Sequence, residues 1–143
     1  MKKILVADDE YTMRELLEMS LEEDYEIIKA EDGEEALKKT SEEKPDLIVL
    51  DIMMPKMDGF EVCRKLKSDK ETYKIPIIVL TAKHSPGDLK TAISCDVDEF
   101  ITKPFEPDKL KRRVDFYCKQ DNPKTEGKLS QFDKSIHYVK KRE

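Results

Sequence analysis

In LIVLDIMMPKMDG (residues 47–59) four large aliphatic side chains run together and then stop on a carboxylate. An unbroken apolar run of this length suits a strand covered on both faces, as in a parallel sheet with helices above and below. Asp51 stands at the mouth of that strand, and Pro55 and Gly59 mark an irregular turn beyond it. An acid in such a place is either a turn or capping residue or a chemical group. What the other strands end on decides between the two.

Strand-like runs alternate with helix-like segments along most of the chain. The runs are Ile4–Ala7, Glu26–Ala30, Leu47–Leu50, Ile75–Leu80 and Val97–Ile101. Between them Met13, Leu16, Leu17 and Leu21 fall at helical spacing, as do Leu89, Ala92 and Ile93, and later Leu110, Val114 and Tyr117. Thr12 with Glu15, Asp32 with Glu35, and Asp58 with Glu61 match capping boxes, and Pro86 and Pro107 suit the first turn of a helix. Repeated βα units imply an α/β fold: a parallel sheet with right-handed crossovers, helices on both faces, and ligands beyond the carboxyl ends of the strands. The first strand ends in Asp8-Asp9, the third in Asp51, the fourth in Thr81, and the fifth runs through Thr102 into Lys103-Pro104. All of these polar groups should gather on one edge.

Composition narrows the function. A chain of 143 residues, 41% charged and 38% hydrophobic, has room for one ordinary domain, and no apolar run approaches the roughly 20 residues of a membrane helix. The two lysines at the start precede too short an apolar stretch for a signal peptide. Cys63, Cys95 and Cys118 are odd in number and widely spaced, so buried free thiols in a reducing cytoplasm are expected. Residues 1–102 hold 15 Lys and Arg against 25 Asp and Glu, whereas residues 103–143 hold 12 against 7. An acidic body argues against direct nucleic-acid binding and favours a cation.

Three carboxylates brought within a few ångströms repel one another unless a cation neutralises them. Mg²⁺ suits such a set, taking one or two carboxylates, waters and a phosphate oxygen. A lysine and a hydroxyl opposite could bind further phosphate oxygens, and a carboxylate can itself accept a phosphoryl group. Taken singly, each of these residues is ordinary: an acid cluster at a helix start, a turn acid, a strand-end hydroxyl. Their joint placement at successive strand ends points to a phosphoryl site.

VADDE after the first strand, VLDIMMPKMDG around Asp51, VLTA ending at Ala82 and FITKPF around Lys103 resemble the receiver domain of two-component response regulators over roughly residues 1–119. The resemblance implies a flavodoxin-like doubly wound fold with five parallel strands in the order 2-1-3-4-5. It makes Asp51 the phosphoacceptor from a sensor histidine kinase or phosphotransfer protein. Asp9 and Asp51 would bind Mg²⁺ directly with the backbone carbonyl of Met53, and Asp8 through water. Lys103 would pair with the phosphoryl group, Thr81 would hydrogen-bond it, and Phe100 holds the aromatic switch position. The Lys103–Pro104 bond matches one that is cis in the family. Expected partners are the kinase, a downstream protein target and a phosphorylation-dependent second copy, in the cytoplasm, with no enzymatic activity beyond self-catalysed phosphoryl acceptance and slow loss. SCDVDEF departs from the pattern, with Asp96 where the family usually has glycine, although Asp tolerates left-handed backbone better than most residues.

Other readings fit less well. A flavin carrier of the same fold class would need a Ser/Thr/Gly-rich phosphate loop where Asp8-Asp9-Glu10 stands, and these acids would repel a cofactor phosphate. A phosphatase of the haloacid dehalogenase type needs a second acid two residues after its nucleophile, and Met53 cannot transfer protons. A receiver fragment of a larger transcription regulator and a non-signalling binding module stay open. Only 25 residues follow Cys118, too few for an output module. In this 120–143 tail Leu129, Phe132, Ile136 and Val139 recur at helical spacing, which predicts an extra helix over about 127–141 docked on the domain or a partner.

Overall fold

The computed structural model describes residues 1–82, 86–119 and 136–140. The strands are β1 (Lys3–Ala7), β2 (Glu26–Ala30), β3 (Leu47–Leu50), β4 (Ile77–Thr81), β5 (Glu99–Thr102) and β6 (Ile136–Val139). The helices are α1 (Tyr11–Leu21), α2 (Gly33–Glu43), α3 (Gly59–Lys67), α4 (Pro86–Ser94) and α5 (Pro107–Cys118). One sheet holds all the strands in the order β2-β1-β3-β4-β5-β6. The first five pair in parallel, giving the doubly wound core order 2-1-3-4-5.

Alternation along the strands divides the core. Leu5, Ile48, Leu50, Val79 and Phe100 join Ala36, Phe60, Val62, Cys63 and Ala92 beneath α2, α3 and α4. Ile4, Val6, Leu47, Val49, Ile78 and Ile101 join Leu17, Leu21, Leu110 and Val114 beneath α1 and α5. The apolar run 47–50 is therefore buried on both faces, because its odd and even members serve different layers. The three cysteines are buried and free, and burial raises the Cys63 thiol to about 12 and Cys118 to about 11. Among the described residues no helix is long and apolar enough to cross a membrane.

Two of the expected capping boxes form their cap bond: Asp32 accepts the Glu35 N–H at 2.8 Å and Asp58 accepts the Glu61 N–H at 2.9 Å, while the Glu35 carboxylate takes the Glu31 N–H at 3.2 Å in place of that of Asp32. Thr12–Glu15 does not form a box. Asp8 Oδ1 accepts the Glu10 N–H at 3.0 Å and turns the chain early, so α1 begins at Tyr11 with Glu10 as its cap residue. Leu16 and Ile93, expected on core stripes, are instead 40% and 49% exposed.

The tail also differs from expectation. Ile136–Val139 is no helix but an antiparallel sixth strand on the edge of β5, so the sheet has six strands where five were expected. An isolated short helix is marginal in water, whereas an open sheet edge offers a ready row of hydrogen-bonding groups to a β-branched and aromatic segment. The rest of the expected helix lies outside the described residues.

Beside that edge, Glu99 and Arg113 are almost wholly buried and pair through two bonds, Nε to Oε2 at 2.8 Å and Nη2 to Oε1 at 2.6 Å. The Tyr117 hydroxyl donates to the same Glu99 oxygen at 2.7 Å. Removing one member of a buried pair strands the other charge in low dielectric. Arg113→Ala is therefore expected to lower the unfolding free energy by about 3–5 kcal/mol. Urea denaturation measures this, and a loss below about 1 kcal/mol, the range of exposed ion pairs, would show that the pair is solvated.

Candidate phosphoryl site

Three of the expected site residues are fastened to a neighbouring strand by their main-chain N–H groups. The Asp8 N–H donates to Ala30 O at 3.1 Å, Asp51 N–H to Ala7 O at 2.9 Å, and Lys103 N–H to Thr81 O at 2.7 Å. The ladders thus run one residue past the strands and hold the side chains on one edge. The loop after Asp51 returns closely. A Cβ on Gly59 would collide with the Asp51 carbonyl oxygen and lie 2.9 Å from Ile52 Cα, so α3 can begin here only on a glycine.

Asp8, Asp9 and Asp51 come together, each offering an oxygen within 4.8 Å of the others. Asp8 and Asp51 are buried, whereas Asp9 is exposed and opens the cluster to solvent. The Lys103 ammonium, itself mostly buried, lies 2.7 Å from Asp8 Oδ2 and 3.5 Å from Asp51 Oδ2. Unit charges 4 Å apart interact by about 4 kcal/mol at an effective dielectric of 20. One ammonium therefore leaves the trio with uncompensated repulsion. Burial pushes the Asp51 pKa above the ordinary carboxylate value and Asp8 pushes the same way, against Lys103 and the Met53 N–H. Burial disfavours the Lys103 ammonium, but Asp8 and Asp51 outweigh it and hold its pKa above the usual lysine value.

Thr81 Oγ1 is fully buried and makes no hydrogen bond of ordinary geometry. A hydroxyl left unsatisfied beside a carboxylate cluster suits an acceptor still to arrive. The carboxylate trio, all hard oxygen donors with one member open to water, likewise fits a small divalent cation such as Mg²⁺.

The family model described as the response regulator receiver domain matches residues 4–115. The chain belongs to that family. The alkaline phosphatase synthesis transcriptional regulatory protein PhoP of Bacillus subtilis is 50% identical over 114 residues, covering 79% of this chain and 47% of PhoP. ResD, a transcriptional regulatory protein of the same organism, is 48% identical over 113 residues, 78% of this chain and 46% of ResD. The receiver thus spans about half the length of these curated relatives. Among solved structures, the receiver domain of a signal transduction histidine kinase from Syntrophus aciditrophicus superposes with a TM-score of 0.79 at 35% identity, covering 86% of this chain and 94% of that one. The chemotaxis protein CheY4 of Vibrio cholerae gives 0.75 at 31% identity, covering 80% and 96%.

Sequence reasoning named Asp8, Asp9, Asp51, Thr81 and Lys103, and the receiver fold brings them to one edge. Met53 donates its N–H to Asp51 Oδ1 at 3.3 Å, and the residue is 71% exposed. The Lys103–Pro104 peptide is cis. Phe100 is wholly buried. Lys83, two residues beyond Thr81, lies outside the described residues. Sequence reasoning missed Arg14, whose Nη1 donates to the Asp8 carbonyl at 2.7 Å, and the Glu99–Arg113–Tyr117 cluster. Their signals were present: Arg113 lies on the apolar stripe of Leu110, Val114 and Tyr117, and Glu99 sits inside a buried strand.

If the trio repels itself, removing one charge should stabilise the metal-free fold. Asp51→Asn is expected to raise the melting temperature near neutral pH, by about 2–8 °C for each kcal/mol gained in a domain of this size. Millimolar Mg²⁺ should stabilise the native protein more than the variant. Calorimetry in EDTA and in Mg²⁺ checks this, and a destabilised Asn variant would contradict it.

Proposed function

We propose that this receiver accepts a phosphoryl group on Asp51 from a phosphohistidine of a sensor kinase or phosphotransfer protein, and thereby changes the face around β5. The observation that carries the reading is the buried Asp51 carboxylate at the end of the central strand. It has Lys103 at 3.5 Å and two further acids within reach of a shared cation.

In the transfer one Asp51 oxygen attacks phosphorus as the P–N bond to the donor imidazole breaks. The imidazole nitrogen keeps the electron pair and takes a proton from solvent. Asp9 and Asp51, with the Met53 carbonyl, would hold Mg²⁺ directly, and Asp8 through water. When bound, the ion neutralises the carboxylates and the phosphoryl oxygens that approach them. Lys103 is placed to compensate a second phosphoryl oxygen, and the Thr81 hydroxyl can donate to a third. Water attack on phosphorus later breaks the new P–O bond and returns Asp51 and inorganic phosphate.

The product carries roughly −1.5 to −2 charges and new acceptor oxygens, to which Thr81 and Lys103 respond. Thr81 and Phe100 are the proposed switch residues, and the readers of the changed face are protein partners, a second copy of the chain among them. A second reading, favoured by the half-length match to PhoP and ResD, is that the receiver works within a longer transcriptional regulator.

A small phosphodonor such as acetyl phosphate should label the protein only with Mg²⁺ present, and Asp51→Asn should carry no label. Asp9→Ala is expected to weaken Mg²⁺ binding by about 10-fold or more, since even losing a residue that merely supports a ligand costs 10–100-fold. Equal labelling of Asp51→Asn would refute the assignment. The thioether of Met53 offers no carboxylate or amide to orient water, so Met53→Asn should shorten the phosphoryl lifetime in a kinase-free decay assay. An unchanged or longer lifetime would contradict that role.

A further inference from the structure

β6 is the antiparallel member of an otherwise parallel sheet, and it covers an edge that β5 would otherwise leave open. Its register pairs Val139 with Glu99, Tyr138 with Phe100 and Ile136 with Ile101, with a shift between Phe100 and Ile101 that bends the strand and interrupts its ladder. Tyr138 packs on the layer containing Phe100 and Val79, and Ile136 on the opposite layer with Ile101. Ile136, Tyr138 and Val139 are only partly buried. A four-residue, bulged, half-exposed strand is held weakly by its ladder alone.

A latch lies just beyond it. The Lys140 N–H donates to Asp98 O at 2.7 Å, and Lys140 Nζ pairs with Asp96 Oδ1 at 2.8 Å. Asp96 has a left-handed φ of 64° and occupies the position noted above as usually glycine in receivers. Glycine would meet the backbone requirement more easily. It could not hold Lys140. The departure from the family pattern and the added strand thus belong together.

The same strand is in line with the phosphoryl site. Val79 pairs with Phe100 and Thr81 with Thr102, and alternate residues of a strand share a face, so Thr81 is a diagonal neighbour of Phe100. On the far side of Phe100, in register, stands Tyr138. The buried Thr81 hydroxyl lies beside Asp51 but makes no hydrogen bond of ordinary geometry, so it can turn toward a new acceptor there. Phe100, wholly buried between them, passes any repacking to Tyr138.

We propose that β6 is a phosphorylation-released strap, latched by Asp96 and Lys140 over the β5 edge in the unmodified protein and loosened when Asp51 is modified. This rests on Asp51 as the phosphoacceptor. Coupling of this kind is reciprocal: whatever loosens β6 must favour the modified state by the same factor.

The test uses the full chain with Mg²⁺ and beryllofluoride as phosphoryl mimic. Fluorine NMR reports occupancy, and amide hydrogen exchange reports β6. At full occupancy the amides of 136–139 should exchange about 5- to 150-fold faster, the usual span of allosteric coupling, with β1 and β3 unchanged. Lys140→Ala should loosen β6 before any modification and lower the beryllofluoride concentration needed for half occupancy, with Asp96→Gly doing the same. Bound fluoride with unchanged or slower β6 exchange would overturn the strap and leave the phosphoacceptor reading standing. So would a Lys140→Ala variant that loosens β6 without altering beryllofluoride affinity. Absence of a bound fluoride signal would overturn both.

Discussion

Among the described residues one ammonium, that of Lys103, serves three carboxylates at the carboxyl edge of this sheet, and the rest of the site follows from that imbalance. Lys103 lies closer to Asp8 than to Asp51, leaving the central carboxylate only partly compensated inside a low-dielectric edge. A small divalent cation would relieve the repulsion and make room for an incoming anion. Main-chain bonds that run one residue beyond the regular strand ends hold these mutually repelling side chains together.

Those bonds depend in turn on a sheet whose layers are filled independently. The alternating members of β3 feed the two cores, so Asp51 is anchored from both faces. At the far edge the logic changes. Glu99 is a charged residue inside a buried strand, kept there by a two-bond pairing with Arg113 and a hydroxyl from Tyr117. β5 thus runs into the candidate site at Lys103, and meets β6 through Glu99, Phe100 and Ile101. An element fastened at both ends to different partners is suited to carry a change from one to the other.

The parallel core and the acidic site were legible because each rests on local pattern. Apolar runs with polar termini specify buried strands and their chemistry without knowledge of distant contacts, and Asp8, Asp51, Thr81 and Lys103 are all strand-end residues. One missed feature is a local competition, and the others are long-range. Thr12 and Glu15 have the spacing of a capping box, yet the Asp8 carboxylate captured the chain two residues earlier. The spacing of Leu129, Phe132, Ile136 and Val139 suits one helical stripe, but β6 places Ile136 and Val139 on a strand. No local pattern announces that an edge elsewhere is open. Asp96 could be seen as a departure from the family, while its purpose needed Lys140 beside it.

The account stands most directly on which carboxylate carries the phosphoryl group. Borohydride reduces an acyl phosphate to the alcohol, turning a phosphorylated aspartate into homoserine, and peptide mass spectrometry then locates it. After incubation with a phosphodonor and Mg²⁺, homoserine is predicted at position 51, and only in samples containing the metal. Homoserine at position 8 or 9, or at position 51 equally without Mg²⁺, would contradict it.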